Sequence, residues 1–382
     1  EPIRAEKSLF DLAAWAGGLP GLASVTLIES TTALAQAQRT GTAPAGLDSA
    51  LWQQWRRRFQ DHLDRFGHAV YNLDFASPVP ADDPAALLET VKFYLRGQGN
   101  NPYERQRLSA GRREEQTSRM LARLGPRRRA AFLRLLRWAQ STGPIREDAL
   151  ADVGLAWPLL RRMLLELGQR LVGSAVLTNP DDVFWLRVQE LRSAVEFGLA
   201  APGAPAAVAI TGAARPVRAA AVEERRMLWR GQAKAAAPQL LPESRWMEKA
   251  FGAMMPAGPQ HQAGNVIKGA AASSGRVSAP ARVLHGPQDF ALMAPGDVLV
   301  ARITTPAWTS LFAMASAVVT DVGGPLSHSS IVAREYGIPA VLGTGVATQR
   351  ITSGQRISVD GDAGTVTIEP SPDAPGSRPV NL

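Results

Sequence analysis

The chemistry that this sequence offers is concentrated around one histidine, His328, in the stretch Gly-Gly-Pro-Leu-Ser-His-Ser-Ser over residues 323–330. A neutral imidazole is a competent nucleophile near pH 7, and with a phosphoryl group it forms a labile N–P bond. The glycine pair allows a ligand to approach the backbone closely, and Arg334 is placed to reach back toward an anion. Three hydroxyls flank the imidazole, those of Ser327, Ser329 and Ser330. These residue types predict phosphoryl chemistry that needs no metal ligands here.

The elements that position His328 are predicted to be a strand, a glycine turn, a helix and a second strand. Residues 317–320 and 339–342 are short apolar runs typical of buried strands. Between them, Ser327 is the expected N-cap, and Gly337 followed by a proline two residues later ends the helix. His328 therefore falls in the first turn, beside free backbone N–H groups at the positive end of the helix dipole. A histidine at such a position is more often a surface or capping residue, and only its neighbours favour function.

The segment GGPLSHSSIVAREYGIPAV, residues 323–341, resembles the phosphohistidine signature of the PEP-utilising enzymes, which include phosphoenolpyruvate synthase, pyruvate phosphate dikinase and rifampicin phosphotransferase. The flanks resemble the rest of that family's swivelling domain, over residues 269–275, 296–300, 304–306 and 359–366. One departure is Pro325-Leu326, where dikinases usually carry a small polar or Thr-Cys pair. Leu-Ser before the histidine is closer to the rifampicin-type branch and to uncharacterised synthase-like members.

In that family an ATP-grasp domain phosphorylates the matching histidine, which then swings on a mobile domain to a second site. The resemblance therefore implies that His328 is the catalytic residue. ATP and Mg²⁺ would act through an ATP-grasp partner, so that this chain alone binds no cofactor and no metal. It also implies support of the phosphate or its loop by Thr304, Thr305, Gly323, Gly324, Ser327, Ser329, Ser330 and Arg334.

The predicted fold class is a multidomain α + α/β protein, because helical periodicity dominates the first part of the chain and strand patterns follow it. We predict a mainly helical acceptor-type domain and then a β/β/α swivelling phosphohistidine domain. The expected divisions are 1–255 for the helical domain, 256–268 for a hinge linker, 269–370 for the mobile domain and 371–382 for a disordered tail.

Individual elements are predicted from periodicity and turn residues. The helices are expected at residues 51–66, 86–95, 103–124, 126–140, 146–151, 158–171, 181–195 and 219–233, with a turn at Gly143-Pro144. The strands are expected at 281–284, 297–302, 317–320, 339–342, 356–360 and 365–369. Residues 200–221, rich in Ala, Pro and Gly, predict a loosely ordered excursion.

The net charge of +8 belongs to the helical part, because residues 269–370 sum to about −1. The arginines occur within helical patterns that also carry Glu and Leu. Solvated faces or a docking surface for an acidic domain are therefore favoured over nucleic acid. A basic helical part facing a nearly neutral mobile domain predicts that the two pack lightly and separate.

Several classes of function are excluded by what the sequence lacks. There is no cysteine, hence no disulfide or thiolate metal site, and no G-x-x-x-x-G-K-[ST] nucleotide loop. No run of 18 apolar residues occurs, so we expect no membrane partner and a cytoplasmic location. The chain begins at Glu1 rather than Met, which suggests a processed chain or a fragment.

The acceptor site is predicted in the helical part. His68, within Phe-Gly-His-Ala-Val-Tyr-Asn-Leu-Asp, resembles a Gly-His stretch of the family's central helical region, with Asp74 as its orienting partner. A structural histidine bonded to Asp74 or Asn72 is an equal alternative. The run Arg146-Glu147-Asp148 is either an inward-facing charged cluster or a helix start. The pair Asp181-Asp182 is read as a helix cap in preference to a metal site.

The predicted function is that of a phosphotransferase component, similar to phosphoenolpyruvate synthase or rifampicin phosphotransferase. No stretch resembles an ATP-grasp domain or the PEP-binding barrel, which favours a small-molecule acceptor other than pyruvate. The expected partners are an ATP-grasp domain or subunit and that acceptor, with self-association left open. The alternatives are an ATP-dependent ligase or condensing enzyme that uses the same phosphohistidine relay, or a non-catalytic scaffold.

Overall fold

The computed structural model describes residues 2–72, 74–199, 219–233 and 264–370. Contacts divide these residues into two compact units. The first comprises residues 2–71, 79–154 and 264–370, and the second comprises residue 72 with 74–78, 155–199 and 219–233. Residues 256–263 of the predicted hinge over 256–268, most of the Ala/Pro/Gly-rich excursion and the tail over 371–382 lie outside the described residues. The predicted domain boundaries stay predictions.

Seven helices form the helical part of the first unit. They are α1 (Pro2–Gly17), α2 (Pro20–Ile28), α3 (Thr31–Thr40), α4 (Ser49–Phe66), α5 (Ala85–Leu95), α6 (Pro102–Ala122) and α7 (Pro126–Asp152). The carboxylate of Asp48 caps α4 by accepting a hydrogen bond from the Leu51 amide at 2.8 Å. One face of α4 is buried at Trp52, Trp55 and Phe59, as its spacing of three and four residues predicts.

An eight-stranded sheet follows in the same unit. Its strands are β1 (Val266–Lys268), β2 (Ala270–Ser273), β3 (Arg276–Leu284), β4 (Val298–Ala301), β5 (Ala317–Thr320), β6 (Ala340–Leu342), β7 (Arg356–Asp360) and β8 (Thr365–Ile368). The order is β1-β8-β7-β3-β4-β5-β6-β2. Strands β3 to β6 are parallel, whereas β7, β8, β1 and β2 pair antiparallel. The mainly helical first part and the mixed α/β part that follows confirm the predicted fold class.

Short helices connect the strands of the parallel part. They are α11 (Thr309–Phe312), α12 (His328–Tyr336) and α13 (Ala347–Arg350), and 3₁₀ turns cover Pro287–Leu292 and Pro306–Trp308. Helix α12 lies between β5 and β6, as predicted. It begins after Ser327 and ends at Gly337, which adopts the left-handed conformation with φ +66°.

The two faces of the sheet are buried in different cores. Val298, Val300 and Val319 point into one core, while Leu299 and Val318, which alternate with them, point into the other. This second core also contains Trp52, Phe59 and Leu88 of the helical part. The prediction that helical part and mobile domain pack lightly is therefore wrong for this arrangement. Apolar side chains at helical spacing do not reveal whether they pack against other helices or against a sheet, and some of these also cover the sheet.

The second unit is built from α8 (Trp157–Gly173), α9 (Val188–Leu199) and α10 (Ala219–Ala233), with a 3₁₀ helix over Pro180–Trp185. Leu171, Val183 and Val222 lie in its core. Asp182 accepts a hydrogen bond from the Asn179 amide at 3.0 Å and pairs with Arg226 at 2.6 Å, which agrees with the predicted cap. The predicted continuous helix over 181–195 is wrong, because Leu186 is extended and separates the 3₁₀ helix from α9.

A second correction concerns α7, which continues through the predicted turn at Gly143-Pro144. A proline inside a helix costs about 3 kcal/mol, since it removes one backbone hydrogen bond. Glu147 and Ala151, in the turns that follow, are the buried residues of this helix.

No single helix in the described part of the chain is long and apolar enough to cross a membrane. Only α1 and α2 taken together have the length and composition, and they are bent by 117° with respect to each other.

Candidate functional site

The loop before α12 sets the position of His328. Strand β5 is buried along its whole length and ends at Thr320. Asp321 then accepts hydrogen bonds from the Thr344 hydroxyl at 3.1 Å and the Thr348 amide at 3.2 Å, which holds the start of the loop. Gly323 has φ +141°, and a Cβ there would lie 3.1 Å from Ser327 Oγ. Only glycine adopts this conformation without strain, so the backbone of the loop requires glycine at position 323.

His328 itself is buried, with 4% of its surface exposed. Its Nδ1 lies 2.7 Å from Oε2 of Glu147, which comes from α7 in the helical part, 181 residues away in sequence. Its Nε2 lies 3.4 Å from Oγ1 of Thr309, at the start of α11. The mobile domain and the helical part therefore each contribute a group to the site.

Glu147 is an ionised carboxylate in this setting. Burial by itself would raise its pKa, but the hydrogen bond and charge of His328, together with the charge of Arg146, outweigh burial and lower the pKa below its usual value. Arg146 donates from Nη1 to Oε1 at 2.6 Å. The two carboxylate oxygens thus have separate partners, with Oε1 on Arg146 and Oε2 on His328.

The two threonines predicted to support the phosphate loop face different parts of the unit. Thr304 Oγ1 lies 2.7 Å from Ser329 Oγ, and both side chains are buried. Thr305 donates instead to the Val70 carbonyl of the helical part at 2.6 Å. The indole N–H of Trp308 donates to the Tyr71 carbonyl at 3.1 Å, so this loop joins the two parts.

Arg334 and Ser330 both hold the glycine loop in place. The guanidinium of Arg334 donates to the Pro325 carbonyl at 2.7 Å and to the Ala272 carbonyl at 3.3 Å. Ser330 donates to the same Pro325 carbonyl at 2.9 Å. The described contacts of Arg334 are therefore those of loop support, and its contact with an anion stays a prediction.

In the part of the chain that the structure describes, the loop before His328 contains an unpaired hydroxyl at Ser327 and open space beside Gly324. Among the described residues, Ser327 Oγ is buried and has no hydrogen-bond partner. A Cβ at Gly324 would meet nothing within 4 Å. No group of three or more His, Asp or Glu side chains suited to a metal ion occurs in the described ranges.

The predicted acceptor residues His68 and Asp74 fall in different units. His68 is half-buried, and within the described structure its buried Nε2 has no hydrogen-bond partner. Its backbone carbonyl packs against Gly154, where a Cβ would come within 1.9 Å. Asp74 belongs to the second unit, where it accepts a hydrogen bond from the Ala76 amide at 3.0 Å. Their roles stay predictions.

Glu147 was predicted only as one member of the run Arg146-Glu147-Asp148, for which two interpretations were open. Of the alternatives for Arg146-Glu147-Asp148, the inward-facing one describes Glu147, while Asp148 is exposed and pairs with Arg4 at 3.1 Å. Thr309 was missed. Its signal is weak, since it simply follows the Thr-Thr-Pro run by a few residues.

Comparison with known proteins identifies both parts of this unit. Residues 293–364 match the family described as the PEP-utilising enzyme, mobile domain. Residues 5–147 match the rifampicin phosphotransferase fourth domain. The first range contains His328, and the last residue of the second is Glu147.

Individual relatives agree with these matches. The chain is 31% identical over 319 residues to the uncharacterized phosphotransferase YvkC of Bacillus subtilis, covering 82% of this chain and 36% of that protein. It is 31% identical over 323 residues to a rifampicin phosphotransferase of a Streptomyces species, covering 82% and 34%. The prodigiosin synthesizing transferase PigC of Serratia marcescens is 48% identical over 119 residues, covering 30% and 13%. The chain thus spans about a third of the length of the first two.

Proposed function

The chain belongs to the PEP-utilising enzymes, and from this premise we propose that it is the phosphohistidine-carrying part of a phosphotransferase. His328 takes a phosphoryl group derived from ATP and passes it to a small-molecule acceptor. The single observation that supports this most directly is the placement of His328. It stands in the first turn of α12, within the matched mobile domain, and is buried against the segment that matches the rifampicin phosphotransferase fourth domain.

The burial of His328 means that loading requires a different arrangement. With 4% of its surface exposed and Glu147 on Nδ1, the imidazole has no room here for a bulky nucleotide and its domain. A donor must therefore reach it when α7 is withdrawn. We propose that an ATP-grasp domain, in the same longer protein or in a separate subunit, supplies ATP and Mg²⁺ in that second arrangement.

The buried arrangement suits the transfer step. Water competes with any acceptor for a phosphoryl group, so a dry site favours productive transfer. In this proposal the acceptor lies on the helical part, and His68, whose buried Nε2 has no partner among the described residues, is the candidate base for the acceptor hydroxyl. By analogy with the rifampicin phosphotransferases, the acceptor is a small organic hydroxyl compound.

Labelling tests the proposal. The chain should acquire an acid-labile, base-stable phosphoryl group from radioactive phosphoramidate, and from ATP and Mg²⁺ once the cognate ATP-grasp domain is added. His328→Gln should abolish the ATP-dependent label, whereas the exposed His285→Gln should leave it intact. An ATP-dependent label that persists in His328→Gln would show that His328 is not the carrier.

A second candidate function is favoured by the match to the prodigiosin synthesizing transferase, at 48% identity. In a condensing enzyme the same relay would activate an acid or enolate before a second substrate joins it. Free phosphate and a new bond between two substrates would then appear, instead of a stable phosphorylated product. Product analysis therefore distinguishes the two.

A further inference from the structure

We propose that Glu147 is a positioning residue for the transfer step: it keeps the proton of His328 on Nδ1, and it does so only when the mobile domain is docked on the helical part. This inference rests on the proposed function. In it, Glu147 accepts a hydrogen bond from Nδ1–H, so that the imidazole, which carries the phosphoryl group on Nε2, leaves readily when that group is transferred.

The contacts of the two ring nitrogens support this assignment. A carboxylate only accepts hydrogen bonds, so the 2.7 Å contact with Oε2 of Glu147 requires a proton on Nδ1. Thr309 lies 3.4 Å from Nε2, but its hydroxyl proton is already donated to the Pro306 carbonyl at 2.7 Å. A hydroxyl has one proton, so Thr309 does not donate to Nε2. In the neutral imidazole the Nε2 lone pair is left without a donor among the described residues, and Nε2 is the nitrogen that can carry the phosphoryl group.

Arg146 makes the orientation of the carboxylate specific. It donates to Oε1 at 2.6 Å, which leaves Oε2 for His328. In an isosteric Glu147→Gln variant the amide carbonyl must stay on Arg146, because the guanidinium has no acceptor. The NH₂ group then faces Nδ1 and donates to it. The proton of the free imidazole is displaced to Nε2, and a ring phosphorylated at Nε2 loses its Nδ1 proton.

The position of Glu147 in the fold restricts it to one half of the reaction. Glu147 lies on α7 and His328 on the mobile domain, so the contact is absent whenever the two are apart. In the docked state the acceptor oxygen forms a bond to phosphorus, the P–Nε2 bond breaks, and its electron pair returns to Nε2. The acceptor proton passes to a base or to water. Throughout, the hydrogen bond to Glu147 keeps the proton on Nδ1, so that the ring departs as neutral imidazole and not as the much more basic imidazolide anion.

Nitrogen NMR of the full chain labelled with ¹⁵N-histidine tests the assignment. The chain has five histidines, so His328 is identified by loss of its signals in His328→Gln. At pH 9 the wild-type ring should carry its proton on Nδ1. In Glu147→Gln the proton should move to Nε2 by about tenfold or more in population, the scale of a charged hydrogen bond. Asp148→Asn, a matched control in the next residue, should resemble the wild type.

A second measurement uses the phosphoprotein. After chemical loading with phosphoramidate, ³¹P–¹⁵N coupling should locate phosphorus on Nε2. Unchanged signals of the buried His62 would show that each variant is folded.

An unchanged protonation pattern in folded Glu147→Gln would overturn the assignment. Failure of the proposed function gives a different result. If ATP-dependent labelling never occurs at His328, the proposed carrier role is wrong. The NMR measurement tests the position of the ring proton independently of that result.

Discussion

Arg105 is expected to hold the docked arrangement together, and Arg105→Met tests this directly. The residue belongs to α6, and its side chain is only 11% exposed. It pairs with Glu6 of α1, whose side chain is 1% exposed, and its guanidinium lies 3.6 Å from the ring centre of Tyr336. Tyr336 is the last residue of α12, the helix that begins with His328. Arg105 thus connects the helical part to the far end of the His328 helix.

The expected cost follows from what the substitution leaves behind. Glu6 keeps a hydrogen bond from the Tyr94 hydroxyl at 2.6 Å but loses its only described cation. Removing one partner of a buried ion pair destabilises a protein by about 3–5 kcal/mol, because a buried charge is left uncompensated. Replacing both partners, in Arg105→Met with Glu6→Gln, should recover most of that loss. Urea unfolding of Arg105→Met, Glu6→Gln and the double variant measures the coupling between the two residues.

Docking is measured separately through the accessibility of His328. The contact between a cation and an aromatic ring contributes about 1–2 kcal/mol when desolvated, and 1.4 kcal/mol corresponds to a tenfold change in population. Diethyl pyrocarbonate should therefore modify His328 about tenfold faster in Arg105→Met. The exposed His285 should react rapidly in every variant, and the buried His62 slowly.

His285 and His62 serve as internal controls for exposed and buried histidines. Faster modification of His328 alone means that the mobile domain has undocked, whereas faster modification of His62 as well means that the helical part has unfolded. A folded Arg105→Met protein that loses less than about 1 kcal/mol and keeps His328 as protected as His62 would refute the reasoning.

Two further predictions concern stability. Burial lowers the pKa of His62 to about 3, with a smaller contribution from Arg65, so the unfolded state alone takes up this proton as the pH falls from about 6.5 toward 3. The free energy of unfolding should therefore fall by about 1.4 kcal/mol per pH unit in that range. Between pH 7 and pH 5, the free energy of unfolding measured in urea should fall by about 2 kcal/mol less in His62→Phe than in the wild type. Equal falls in the two proteins would contradict the assignment. Gly323→Ala should lower the free energy of unfolding by about 1–3 kcal/mol, since φ is +141°, while Gly324→Ala, which meets nothing within 4 Å, should change it little; equal losses would show that the loop conformation is not the cause.

The neighbourhood of His328 was predictable because its signals are local. An N-cap serine, a glycine stop and two β-branched runs define β5, α12 and β6 within residues 317–342, and the structure has all three. The six predicted strands are present as well. Strands β1 and β2 were not predicted, since each is at most four residues long and is stabilised by a partner strand far along the chain.

The course of α7 was not predictable from local signals. Gly143-Pro144 favours a turn by itself, and only tertiary packing overrides this preference. Glu147 is buried against His328, and Gly154, just beyond the end of α7, packs against the His68 carbonyl. Both contacts are long-range, so no pattern within the helix reveals them.

Glu147 and His328 belong to different parts of the chain, the helical part and the mobile domain. In the mechanism that we propose, the mobile domain carries the nucleophile, whose motif is readable from sequence. The carboxylate proposed to complete its reactivity lies 181 residues away and contacts it in the docked arrangement. Such a division couples chemistry to arrangement, because the imidazole gains its leaving-group character only where water is excluded and the helical part is in contact. A carrier with its carboxylate on the same domain would discharge in every position, including those open to water.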